Sequence, residues 1–215
     1  MIPALPVEVP VAHVPFYSQF SDISATTWKK KGCGVVSVAM VVDYYSTQPI
    51  SVNKMLTQAI ASGAYLESAG WTHKGLIQLA QKYGMKGQAY DLTRSSASSA
   101  FTAFSGHLKG GPVIVSVHYK FEPNNPIPHL VVIDGMDKNF VYYNDPAATG
   151  GEKKIAITDF KKAWKQKFIV IRPVKDATKV AVAEPVIVAD ASSSDYFATF
   201  FTRIIPGMFG RGTVA

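Results

Sequence analysis

The run Val35-Val-Ser-Val-Ala-Met-Val-Val-Asp-Tyr-Tyr45 constrains this chain more than any other stretch. It is apolar on nearly every face, so protein must surround it. Periodicity alone permits a buried helix or a buried strand, and its length favours the helix. Such a segment needs a domain-sized core, and 215 residues that are 47% hydrophobic and 12% aromatic can supply one. A chain of this length buries roughly 70% of its unfolded surface, so it needs no disulfide or metal staple. No apolar run approaches the 18 or more residues of a membrane span, so no integral membrane segment is expected.

Around that run the pattern falls into two halves. Met1 to Val14 carries three prolines and reads as extended lead-in, and Phe16 to Lys31 is polar and irregular. Ser51 to Ala61, Thr72 to Tyr83 and Ser95 to Leu108 read as three further helices. Thr72 is the N-cap of the second of these and Gly84 its stop. After Gly110-Gly111-Pro112 the sequence turns β-branched. Val113–Tyr119, His129–Gly135, Phe140–Asn144, Lys153–Ile157 and Phe168–Arg172 read as strands, with a helical turn over Thr158–Lys165. Helices first and antiparallel strands second is an α+β layout. Past Pro173 the chain becomes rich in Ala, Val and Ser, and residues 176–215 read as a linker followed by an amphipathic C-terminal helix. The expected organisation is a lead-in over 1–10, a folded domain over 11–175 and this tail.

Lys and Arg number 22 against 15 Asp and Glu, a formal charge of +7. The lysines are scattered and no nucleic-acid reading motif is present, so they read as solvated faces and no nucleic acid is expected as a partner. One cysteine and five histidines without a ligand spacing argue against a metal, and no cofactor is expected. The start, Met1-Ile-Pro-Ala-Leu-Pro, lacks the basic segment and apolar run of a signal peptide. The cytoplasm is therefore the default compartment, with export left open for a trimmed chain. Oligomeric state is not legible.

Cys33 stands between two glycines at the expected start of the buried helix. A helix N-terminus favours a thiolate, and with a nearby imidazolium such sites bring a thiol from about 8.5 to between about 3.5 and 7.5. His129 opens the strand Leu130–Ile133, and His118 is a rival base. If the strands around the Asp137–Asn139 turn form a hairpin, residue 145 returns beside residue 129. Asp145 could then hold the second ring N–H of His129, with Asn144 as a fallback. Gln19, fourteen residues before Cys33, could donate to an oxyanion together with the Cys33 N–H.

Val14-Pro-Phe-Tyr-Ser-Gln19, Gly32-Cys33-Gly34 with its apolar helix, Pro128-His129-Leu-Val-Val-Ile-Asp-Gly135 and Tyr143-Asn-Asp-Pro146 together resemble the C39-like peptidases, bacteriocin-processing relatives of papain. The resemblance covers residues 11 to 173. It implies a papain-like fold in which the cysteine helix packs on an antiparallel sheet carrying His and Asp. It further implies Cys33 as nucleophile, His129 as general base and acid, Asp145 as its orienter and Gln19 as oxyanion donor. The exporter members carry membrane spans and an ATPase, so a stand-alone member is the closer expectation. Their Gln-to-Cys spacing is also shorter than fourteen residues. The activity this implies is hydrolysis of a peptide or amide bond in a peptide or protein substrate. A transglutaminase-like acyl transfer and a silent module binding peptide or cell-wall polymer are the alternatives. Trp28, Gly34, Trp71 and Tyr119 are the expected cleft-lining residues, and the substrate itself is not legible.

Overall fold

The computed structural model describes residues 8–174. The expected tail over 176–215 lies outside the described residues. Helices α1 (Cys33–Tyr45), α2 (Val52–Ala61) and α3 (His73–Gln81) come first, with a two-residue ribbon of β1 (Tyr65–Leu66) and β2 (Gly70–Trp71) before α3. Then follow β3 (Met85–Asp91), α4 (Ala97–Leu108), β4 (Val113–His118), β5 (Pro128–Met136), β6 (Phe140–Asn144), β7 (Lys153–Ala156), α5 (Ile157–Ala163) and β8 (Trp164–Pro173). Strands β3 to β8 form one six-stranded antiparallel sheet in the order β3-β8-β4-β5-β6-β7.

The Val35–Tyr45 run is a helix, and it begins at Cys33. Val35, Val36, Val38, Ala39, Met40, Val41 and Val42 are all fully buried, which is why the run shows no polar face. The other helix starts follow their caps: the Ser51, Thr72 and Ser96 hydroxyls accept the N–H of Lys54, Gly75 and Ser99.

The sheet separates two cores by the two-residue alternation of its strands. Ile114, Leu130, Val132, Ile169 and Ile171 pack with α1, α2 and α3. Val113, Val115, Val117, Val131, Ile133 and Phe168 pack with α4 and α5 on the other face. The arrangement is α+β, with the cysteine helix laid on an antiparallel sheet.

Besides the two-residue strands β1 and β2, which the sequence reading did not include, two elements differ from the sequence expectation. β3 was not foreseen: Met85–Asp91 is an edge strand whose Lys86, Gln88, Ala89 and Asp91 are exposed, so it carries no alternating apolar signal. β8 begins at Trp164 instead of Phe168, because the strand passes through Gln166 at φ 53° and shifts register against β4 beyond Ser116. That irregularity hides the strand from a two-residue pattern.

Candidate active site

Cys33 is the first residue of α1, and Gly32, the N-cap, has no side chain to offer the first-turn N–H groups. Those groups and the positive end of the helix face whatever negative charge forms there. Both flanking glycines are needed for space. A Cβ on Gly32 would run into Ile23 Cδ1 and come within 3.2 Å of Gln19 Cβ. A Cβ on Gly34 would lie 2.7–2.9 Å from Trp71 Cγ, Cδ1 and Cβ. Gly34→Ala is therefore expected to displace the tip of α1 or the Trp71 ring. That costs about 1–3 kcal/mol of stability by overpacking, which guanidinium unfolding of the two proteins would measure.

His129 lies in β5 and is 4% exposed. Its Nε2 meets Asp145 Oδ1 at 2.6 Å. Asp145 follows the end of β6, and its Oδ1 also accepts the Ala147 N–H at 2.8 Å. The symmetric hairpin count does not describe how they meet. The ladder pairs Val132 with Asn144 and shifts register between Ile133 and Gly135. Asp145 therefore comes level with Val131, and the side chains close the remaining offset. The turn is set by Asp137, whose Oδ1 accepts the N–H of Asn139 and Phe140 at 2.7 Å each.

Gln19 is 4% exposed and its Oε1 has no hydrogen-bond partner among the described residues. Its backbone N–H donates to Pro146 O at 2.8 Å, so the segment carrying Gln19 is joined to the turn carrying Asp145. The fourteen-residue spacing to Cys33 is spanned by a bend at Ser18–Asp22 and a 3-10 turn at Thr26–Trp28. The chain thereby returns Gln19 Cβ to the side of Gly32.

The expected lining residues fall into two groups. Trp28 and Trp71 pack edge-to-face with Tyr65 in a cluster with ring centroids 5.0–5.7 Å apart. Trp71 is 8% exposed, lies on Gly34 and donates its indole N–H to Lys31 O. The Lys31 ammonium sits over Trp28 and Tyr65 and pairs with Glu67 at 3.0 Å. Tyr119 stands on the opposite side, edge-on to the His129 ring at 5.2 Å. The two residues after it, Lys120 and Phe121, hold positive φ of 58° and 57°.

The remaining histidines are engaged elsewhere. His118 Nδ1 meets Asn125 O at 2.8 Å, and His73 Nε2 meets Ser116 Oγ at 3.0 Å. His13 reaches Glu152 at the surface, and His107 packs on Tyr90 and Phe168. Asn144 is committed away from His129: its amide donates to Asp134 Oδ2 and Val14 O, and its Oδ1 accepts the Glu152 N–H. Sequence reasoning missed Pro146 O as the acceptor that ties Gln19 to the Asp145 turn.

Electrostatically, His129 is the most distinctive group. Burial pulls its pKa down, but the hydrogen bond to Asp145 and the adjacent Cys33 thiol prevail and raise it to about 9. A raised value means the imidazolium adds stability in full below the ordinary value of 6.5, and that stability disappears as pH rises through about 9. Thermal unfolding is expected to show Tm falling between about pH 7 and pH 10, with that slope reduced in His129→Ala. A polar thiol, an imidazole held by a carboxylate and an unengaged amide beside a helix N-terminus make an arrangement suited to nucleophilic acyl chemistry.

Residues 11–167 match the model of the Peptidase_C39 like family. A C39-like peptidase structure from Bacillus anthracis is 24% identical, with a TM-score of 0.54 over 79% of this chain and 99% of that one. A double glycine motif protease from an AMS/PCAT transporter, solved in complex with the leader peptide, is 22% identical. Its TM-score is 0.52, over 78% of this chain and 98% of that one. The Pediocin PA-1 transport/processing ATP-binding protein PedD of Pediococcus acidilactici is 28% identical over 142 residues. The match takes in 66% of this chain but only 17% of that relative's length. Among the described residues no helix is long and apolar enough to cross a membrane.

Proposed function

The chain belongs to the C39-like peptidase family, and on that premise we propose that it is a cysteine peptidase cleaving a peptide or amide bond with Cys33, His129, Asp145 and Gln19. The observation that carries this reading is the buried His129 ring, bonded to Asp145 at 2.6 Å and neighboured by the Cys33 thiol at the start of α1. A neighbour of the same fold bound to a leader peptide supports a peptide or protein as the substrate.

The Cys33 thiolate attacks the carbonyl carbon, with its charge met by the His129 imidazolium and the helix N-terminus. The oxyanion that forms is met by the Cys33 N–H and the Gln19 amide, donors already in place before reaction. His129 passes its proton to the departing amine, leaving a thioester on Cys33. The imidazole then takes a proton from water, whose oxygen attacks the thioester; the acid leaves and the Cys33 thiolate is freed beside the His129 imidazolium, as at the start. Asp145 keeps the ring turned through its Nε2–H and stabilises the imidazolium without taking the proton itself. Trp28, Trp71, Gly34 and Tyr119 flank this centre as the walls of the cleft, with Trp71 acting from beneath Gly34.

The test is incubation with β-casein followed by mass spectrometry. New peptide termini, with a hydroxylamine-sensitive acyl adduct on Cys33, are the expected result. A folded chain whose Cys33 is alkylated readily but which forms no acyl adduct from β-casein or a peptide ester would contradict the reading.

A further inference from the structure

The segment that carries Gln19 is held by a carboxylate that no reaction step uses. Asp22 Oδ2 accepts the Ser18 N–H at 2.7 Å, and the Asp22 N–H returns to Ser18 O at 2.9 Å. The two bonds close a reciprocal ring around Gln19, Phe20 and Ser21. Ser21 Oγ donates to the same carboxylate oxygen at 3.0 Å. Ser18, itself buried, accepts the Phe20 N–H on its hydroxyl and donates that hydroxyl to Pro146 O at 3.4 Å.

Both ends of this bend are anchored. On one side the Gln19 N–H and Ser18 hydroxyl meet Pro146 O, next to Asp145. On the other, Asn53 of α2 donates its amide to Asp22 O at 2.9 Å and accepts the Ser24 N–H at 2.9 Å. Ile23, fully buried, is seated against Gly32. Gln19 Oε1 itself has no partner among the described residues, so within them the aim of its amide is set by the backbone beneath it.

We propose that Asp22 is a positioning residue for Gln19, holding the oxyanion donor at its working place through the Ser18 N–H. This rests on the role of Gln19 given under the proposed function. An N–H bonded to a carboxylate is among the stronger hydrogen bonds available to a backbone. Without it the Tyr17–Ser18 peptide loses its partner and can turn, shifting the bend that carries Gln19, and a displacement near 1 Å costs a donor up to about a hundredfold in rate.

Two probes separate this role from a general structural one. Iodoacetamide alkylates Cys33 by displacement at a saturated carbon: the S–C bond forms as iodide leaves, and no oxyanion arises. Benzyloxycarbonyl-glycine p-nitrophenyl ester acylates Cys33 through a tetrahedral oxyanion and releases nitrophenolate. In Asp22→Ala the ester acylation rate is expected to fall about 10- to 100-fold, while alkylation stays within about twofold of wild type. Asp22→Asn keeps an oxygen to accept the Ser18 N–H and is expected to recover acylation to within about threefold. In a Gln19→Ala background, Asp22→Ala is expected to add less than about twofold, because the two act as one unit.

Normal acylation in Asp22→Ala would overturn the proposal. So would a parallel fall in alkylation, or an undiminished effect of Asp22→Ala in the Gln19→Ala background. If Gln19→Ala alone leaves acylation unchanged, Gln19 is not the oxyanion donor and the role of Asp22 falls with it. If wild type alkylates but never acylates, the peptidase reading itself fails.

Discussion

Cys33→Ala is expected to reduce peptide hydrolysis at least about ten-thousand-fold, since removing the nucleophile of an acyl-transfer unit disables the unit as a whole. The fold is expected to survive. Cys33 is the only thiol in the chain and is partly exposed at the first position of α1, outside the fully buried Val35–Val42 stretch. Alanine fits that position and is the best helix former, so the stability change should stay within about 1 kcal/mol. Hydrolysis of β-casein and guanidinium unfolding, run on the same preparations, check both halves. Residual activity within tenfold of wild type would assign the chemistry to another group.

Asp145→Ala is expected to lower kcat by about a hundred- to ten-thousand-fold, the range seen when a catalytic imidazole loses the group that fixes its tautomer. A change in pH dependence accompanies the loss. In the wild type burial is the largest single influence and pulls the His129 pKa down, but the bond to Asp145 and the neighbouring Cys33 together outweigh it and hold the value up at about 9. Without the carboxylate, burial is opposed only by the Cys33 thiol, so the pKa moves down. The alkaline limb of kcat/KM, expected near pH 9 in the wild type, should therefore shift to lower pH in the variant. Asp145→Asn retains an oxygen for the Nε2–H without the charge and should lie between the two. A pH–rate profile from about pH 5 to 10 measures all three, and an unshifted alkaline limb would separate Asp145 from the titration of His129.

Much of the architecture was legible because its signals are local. The all-round apolar Val35–Tyr45 run had to be buried, and Thr72 marked its helix start through the bond its hydroxyl now makes to the Gly75 N–H. The β-branched segments after Pro112 form strands as their composition suggested, and their side chains go alternately to two cores. What sequence could not supply depends on contacts between distant segments. β3 carries almost no apolar alternation because one of its edges is unpaired and most of its side chains are exposed. The meeting of His129 with Asp145 was anticipated from a symmetric hairpin, whereas the actual ladder is offset by the irregularity at Asp134. Asn144, close in sequence to Asp145, is drawn instead to Asp134 and the N-terminal segment at Val14. Gly34 was expected to line the cleft, and what the sequence does not reveal is that a side chain there would meet Trp71, forty residues from Lys31, whose carbonyl fixes the indole. The bend at Ser18–Asp22 left no readable pattern at all, since a serine and an aspartate four residues apart are ordinary in any loop.

The central claim is that Cys33 and His129 work as one thiolate–imidazolium pair. The most direct measurement is the rate of Cys33 alkylation by iodoacetamide from pH 4 to pH 10, in wild type and in His129→Ala. The mass shift reports one site, because the chain has one cysteine. Paired groups predict rapid labelling that falls at least about tenfold at pH 6 when His129 is removed. Equal rates in the two proteins across the whole range would mean that the histidine does not activate the thiol. They would contradict the assignment of Cys33 and His129 as a catalytic pair.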